Sequence, residues 1–220
     1  MHGVFDIVGP IMIGPSSSHT AGAVRLGLMA RKILGEEPVK AEINLHGSFA
    51  RTYRGHGTDK ALIGGILGFG PEDERIREAL HIARDKGLEF SFQTVNLEEA
   101  HPNTAVIFLT GQSGRMARVT GASVGGGNIV ISNIDGYNVE LTGQYPALIT
   151  IHHDCPGVIT KVTQILAHAE VNIAFMRVSR QNRGETAMMI MELDEQPAPD
   201  VIAECRQAAA VQYAFAIPAI

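Results

Sequence analysis

Apolar side chains recur at Val24, Leu28, Met29 and Ile33, and this three-to-four spacing predicts an amphipathic helix that opens near Ala21 and stops at Gly35. Ile43 and Leu45 then alternate with Glu42 and Asn44, as in a half-buried strand over 41–46, and a loop is expected through Gly57. Helical spacing resumes at Thr58 and Asp59, runs through Leu67 and fades at Gly68-Phe69-Gly70. A third helix is expected from Pro71, with Glu72, Asp73 and Glu74 in its first turn, ending at Lys86-Gly87. Beyond Glu89 the pattern turns to strands. Phe90, Phe92 and Val95 mark one; 105–110 and 115–120 are joined by Gly111-Gln112-Ser113-Gly114; 129–134 and 137–142 are joined by Asp135-Gly136, a favoured two-residue hairpin.

From residue 148 the pattern starts afresh as β-α-β-β-α-β. Strands are expected over 148–152, 171–180, 186–193 and 211–217, with helices over 158–169 and 199–209. That order is the ferredoxin-like split arrangement. The fold class is therefore α+β in two domains, 1–145 and 146–220, with the boundary near Gly143 to Pro146.

The 220 residues are 45% hydrophobic and 19% charged, an ordinary globular balance, and the formal charge of −5 with no Lys/Arg-rich face argues against a nucleic-acid partner. The first residues lack the basic flank and apolar run of a signal peptide, and no long apolar stretch follows, so a cytoplasmic location and no membrane partner are expected. Two cysteines, Cys155 and Cys205, give no disulfide framework.

The chemistry gathers at Gly14-Pro15-Ser16-Ser17-Ser18-His19-Thr20, four hydroxyls and an imidazole before the first helix. Unpaired N–H groups and the positive dipole end there favour a carboxylate or phosphate. Gly55-His56-Gly57-Thr58-Asp59 opens another helix, where Thr58 and Asp59 are placed to cap it or to orient His56. If these two histidine-bearing helix starts face one pocket, His19 and His56 are its acid/base candidates. Gly125, Gly126 and Gly127 give a segment of unusual dihedrals or close approach. A serine hydrolase would need a G-x-S-x-G turn, and a zincin H-E-x-x-H; neither is present. His152 and His153, neighbours on a strand, are expected to face opposite ways, one to the core and one to solvent.

Taken in order, the segments 9–22, 47–59, His101-Pro102-Asn103-Thr104 and Ser123-Val124-Gly125-Gly126-Gly127 resemble the beta chain of the bacterial iron-sulfur-dependent L-serine dehydratases. The first domain of that family is similar to the allosteric substrate-binding domain of some phosphoglycerate dehydrogenases, an α/β sandwich. The turn Asp154-Cys155-Pro156-Gly157 with Asn172-Ile173 resembles the ACT domain, a regulatory module that binds amino acids between paired copies. The resemblance implies loss of water from L-serine to an enamine, then an imine, and finally pyruvate and ammonia. A base for the Cα proton and an electrophile for the poor hydroxide leaving group are both needed.

Two scattered cysteines cannot hold a four-iron cluster, so the resemblance implies a 4Fe-4S cluster on a cysteine-bearing alpha subunit, and a beta chain inactive by itself. A pyridoxal phosphate enzyme would need a Schiff-base lysine, and nothing frames Lys32, Lys40, Lys60, Lys86 or Lys161 that way. On this reading Ser16, Ser17, Ser18 and Thr20 hold the serine carboxylate, Thr58 and Asp59 support His56, and Asn103 with Gly125 to Gly127 are secondary. No metal is assigned to the chain. The ACT-type domain is expected to self-associate, with a regulatory ligand at Asp154, Gly157, Asn172 and Ile173. The competing class is a binding module that holds serine or another small anion without taking part in catalysis.

Overall fold

The computed structural model describes residues 12–14 and 16–220, and the chain forms two compact units that divide between Asp135 and Gly136. In the first, α1 (Ala21–Leu34) leads into β1 (Pro38–His46), and short α2 (Gly47–Thr52) is followed by α3 (Thr58–Ile66). A 3₁₀ turn (Glu74–Glu78) runs into α4 (Ala79–Asp85). Four strands follow, β2 (Glu89–Val95), β3 (Thr104–Gly111), β4 (Met116–Gly125) and β5 (Asn128–Ile134).

Within this unit the sheet runs in the order β2-β1-β3-β4-β5. β1 and β2 are parallel, and the other neighbours are antiparallel. α1 lies against β3, β4 and β5, and α3 packs on α1. That sandwiched position explains why α1 buries most of its circumference, from Ala21 to Leu34, and why it is rich in Ala and Gly. At the crossing with α3 the backbones touch: a Cβ on Gly27 would lie 2.2 Å from Leu62 O, and one on Gly65 2.0 Å from Val24 O. Arg31 ties the pair at its far end by donating to Ile66 O at 2.9 Å.

The sequence expectations for α1, α3 and every strand of this unit agree with these elements to within a few residues, and Gly35 ends α1 in the left-handed conformation at φ 78°. Two expectations need correction. The supposed loop to Gly57 contains α2, held by Phe49, which is fully buried and contributes about 1.5–3 kcal/mol of transfer free energy. The third helix does not open at Pro71. The 3₁₀ turn starts at Glu74 because the Asp73 carboxylate accepts the Arg75 N–H at 2.9 Å, and only from Ala79 is it α-helical.

The second unit contains β6 (Tyr137–Leu141), β7 (Ala147–His153), α5 (Val158–His168), β8 (Ile173–Arg180), β9 (Thr186–Leu193), α6 (Pro199–Gln207) and β10 (Val211–Ile217). From β7 onward this is β-α-β-β-α-β with an antiparallel sheet ordered β10-β7-β9-β8, the expected ferredoxin-like arrangement. Leu148, Val162, Leu166, Met189, Met191 and Cys205 form its core. The division falls earlier than the 145/146 boundary read from the sequence because β6 contacts β8 and β9. Thr142 adds to this by donating through its N–H (2.9 Å) and its hydroxyl (2.7 Å) to buried Glu192. Among the described residues, no helix is long and apolar enough to cross a membrane.

Candidate functional site

The turn 17–20 leads directly into α1, and Thr20 occupies its N-cap position without a side-chain capping hydrogen bond. The N–H groups of Thr20 and Gly22 donate to Ser16 O (2.8 Å) and Ser17 O (2.9 Å). The helix start is thus partly satisfied by its own preceding turn, which corrects the expectation of a run of free N–H donors there. The turn serves instead to carry His19 inward. His19 is only 9% exposed, with its ring edge-on to Phe49 at 5.3 Å between centroids.

Both imidazole nitrogens of His19 meet serine hydroxyls. Ser16 Oγ lies 3.4 Å from Nδ1, and Ser48 Oγ, at the start of α2, lies 3.2 Å from Nε2. His56 stands T-shaped to His19 with centroids 4.8 Å apart, on the turn that precedes α3, and is itself exposed. Burial, and secondarily the neighbouring His56 charge, push the His19 pKa below its ordinary value, so its imidazole is neutral at pH 7. The structure therefore brings the two predicted histidines together, one sheltered and one open.

On the open side of His56 is a cleft of about 350 Å³ that Gly14, Thr20, Arg54, Lys60 and Arg77 help to line. Thr20 is 2% exposed, and its hydroxyl finds no hydrogen-bond partner among the described residues. A side chain at position 14 would collide with that buried hydroxyl, its Cβ 2.2 Å away, so the position takes glycine.

Other predicted residues lie apart from this pair. Thr58 is fully buried, with its hydroxyl unpartnered among the described residues. Asp59 accepts the Lys60 N–H at 2.9 Å and borders a different cleft with Tyr53 and Arg84. There, burial raises its pKa against the pull of that N–H and of the Lys60 and Arg54 charges. Gly57, in the left-handed conformation, is the N-cap of α3, so neither Thr58 nor Asp59 caps that helix.

Asn103 and the glycine run act on the scaffold. The Ser123 N–H donates to Asn103 O at 3.1 Å, and Gly22 must lack a side chain because its Cβ would lie 2.1 Å from Ser123 Oγ. Gly125, Gly126 and Gly127 turn the β4–β5 hairpin with φ of 114°, 60° and 82°, and Gly127 O accepts from Arg25 at 2.9 Å. Ser17 and Ser18 are half-buried on the turn.

The four residues read as a regulatory ligand site are engaged separately. The Asp154 carboxylate accepts from Arg180 at 2.8 Å and the Gly184 N–H at 3.0 Å, which hold its pKa below the usual carboxylate range. Asn172 donates to Asp194 at 2.7 Å, Gly157 is the N-cap of α5 and Ile173 begins β8. His152 and His153 divide as expected, the first buried and the second exposed.

Ser48, Arg54, Lys60 and Arg77 carry no role in the sequence reading. Ser48 sits in the quoted 47–59 segment, and Gly47 beside it shows the close approach: its Cβ would lie 2.6 Å from Pro102 O. Arg77 comes from the 3₁₀ turn, and no sequence spacing relates it to His56.

The motifs that converge here also carry the likeness to known proteins. The model for the serine dehydratase beta chain matches residues 3–133. A Bacillus subtilis protein named as a probable L-serine dehydratase beta chain is 46% identical over 192 residues, 87% of each chain. This chain belongs to the serine dehydratase beta-chain family.

A second family member, the L-serine dehydratase beta chain of Peptoniphilus asaccharolyticus, is 40% identical over 195 residues, 88% of each chain. The D-3-phosphoglycerate dehydrogenase of Synechocystis is 26% identical over 202 residues, covering 89% of this chain and 35% of that protein. Residues 148–211 match the AHAS small subunit-like ACT domain, in agreement with the strand order of the second unit.

Proposed function

We propose that this chain is the beta subunit of an L-serine dehydratase and supplies the proton-handling side of the site that converts L-serine to pyruvate and ammonia. The observation that carries this reading is the His19–His56 contact at 4.8 Å, which joins two of the family's motifs at one cleft. The alternative of a non-catalytic module is less well supported, because relatives matched over nearly their whole length are named as dehydratase chains.

The open histidine is the better base. A base must come within hydrogen-bond reach of the proton it removes. His56 borders the cleft, whereas both His19 nitrogens face serine hydroxyls in a sheltered site. His56 thus accepts the Cα proton, and His19, kept neutral by burial, positions the His56 ring without adding a second positive charge beside it. Loss of hydroxide from Cβ then gives the enamine, which tautomerises to the imine and hydrolyses.

The electrophile for that hydroxide belongs to the partner. A 4Fe-4S cluster needs several cysteine thiolates, and this chain's residues do not fit it. Among the described residues no three His, Cys, Asp or Glu side chains form a metal-binding group. Cys205 is buried in the second unit's core with its thiol pushed up to about 11, mainly by burial, and Cys155 lies in a turn. A cysteine-bearing alpha subunit holding the cluster completes the site, in a complex located in the cytoplasm. Self-association through the ACT-type unit, with an amino acid as its ligand, is part of the same proposal and is supported by the family match there.

His56→Ala tests the reading directly. The co-purified complex carrying it should keep its iron content and subunit ratio yet lose turnover by at least about a hundredfold. Near-normal pyruvate formation would contradict the assignment.

A further inference from the structure

The second unit contains a cleft of about 380 Å³ that the reaction as described leaves unused, and none of the residues read as catalytic or regulatory lines it. β9 contributes Ile190 and Glu192, alternate residues that share one face of the strand. β8 runs antiparallel beside it and sets Arg177 across from Ile190, and Phe175 across from Glu192. Met176 and, from β6, Glu140 also border the cleft.

Glu192 is the unusual member. It is only 4% exposed, yet it makes no salt bridge among the described residues. Its Oε1 accepts both the N–H and the hydroxyl of Thr142, at 2.9 and 2.7 Å. Those bonds fix the carboxylate and leave Oε2 without a partner among the described residues. Oε2 is not one of the partnerless polar atoms sealed from solvent, so it keeps accessible surface, and the cleft is the opening that Glu192 lines. Carboxylates buried to this degree are ordinarily paired with a cation.

The surroundings specify which kind of cation. Arg177, the one cation bordering the cleft among the described residues, donates to Glu140 Oε2 at 2.9 Å, so these two offset each other and Glu192 carries the uncompensated charge. A metal ion such as calcium or magnesium takes about six or more oxygen ligands, whereas Phe175, Met176 and Ile190 offer aromatic and aliphatic surface. That lining suits an organic ammonium, a compact charge with three donors carried on a hydrocarbon body.

We propose that this cleft binds a small aliphatic amine, whose ammonium donates to Glu192 Oε2 and whose hydrocarbon part lies on Met176, Ile190 and the Phe175 ring. The ligand needs no carboxylate, because the Arg177 guanidinium is already engaged by Glu140. The site is thus separate from the amino-acid site read at Asp154, Gly157, Asn172 and Ile173, and it does not depend on the dehydratase reading.

Calorimetric titration of the full beta chain with 3-methylbutylamine at pH 7 tests the proposal. The wild type should bind it saturably, and 3-methylbutanol, of the same shape without the charge, at least about tenfold more weakly. Glu192→Gln keeps an acceptor for Thr142 and should weaken amine binding at least about tenfold. Phe175→Ala, at an exposed ring, should weaken it about threefold. Asn172→Ala should leave it unchanged. If Glu192→Gln does not fold, Phe175→Ala and the comparison of amine with alcohol decide. No binding of the amine, equal affinity for amine and alcohol, or unchanged affinity in the folded variants at 192 or 175 would overturn the site. A loss of binding in Asn172→Ala would place the amine elsewhere in the unit and overturn it as well.

Discussion

The imidazoles of His19 and His56 meet edge to face, and their surroundings divide them: Phe49 and two serine hydroxyls enclose the first, while a cleft opens beside the second. His152 repeats the sheltered pattern in the ACT-type unit, buried with Nδ1 3.4 Å from Thr150 Oγ1. Its pKa is lowered by burial, which outweighs the upward pull of Asp154. Both histidines bind protons more readily when unfolded, at an ordinary pKa of about 6.5, than when folded. The stability they contribute is therefore present above that value and lost as pH falls through the lower folded value. Thermal melts should show the midpoint falling between pH 7 and pH 5, with a smaller drop in His152→Gln. A drop of equal size in that variant would remove His152 from the account.

At the scale of elements, the site depends on how closely α1 and α3 approach, since His19 and His56 sit on the turns that begin them. Gly27 and Gly65 make that approach, each with backbone of the other helix where a Cβ would be. Gly65→Ala improves intrinsic helix propensity by about 1 kcal/mol, yet the 2.0 Å clash with Val24 O lies against backbone and forces the helices apart. The expected outcome in denaturant unfolding is a net loss of about 1–3 kcal/mol, accompanied by reduced turnover. An increase in stability would show that the crossing is looser than described.

Elements with strong periodicity were legible without the structure. α1 runs from Ala21 to the Gly35 cap, and the ferredoxin-like order follows from β7 onward, because single residues punctuate them. α2 was not legible: six residues form it around Phe49, too few to show a period, and tertiary burial decides its conformation. The start at Pro71 misled because proline and three acids suit a first helical turn, while Asp73 uses its carboxylate to begin a 3₁₀ turn later. In the site, His19 and His56 could be found from local motifs. Arg77 could not, since its nearness to His56 is created by folding alone.

For the whole molecule, the first unit brings His19 and His56 into contact beside a cleft lined by Arg54, Lys60 and Arg77, and among the described residues no three His, Cys, Asp or Glu side chains form a group that could hold a metal ion. On the proposed division of base and electrophile between subunits, the beta chain by itself should be inactive. The family match over residues 3–133 and the ACT match over 148–211 fall in separate compact units. The most direct test is anaerobic coexpression of this chain with a cysteine-bearing alpha chain, followed by iron content, subunit ratio and pyruvate release from L-serine on the purified material. The account predicts a stable complex with iron on the alpha chain, pyruvate formed by the complex, and none formed by the beta chain alone. Pyruvate from the beta chain alone, or an iron-loaded complex with no activity on L-serine, would contradict it.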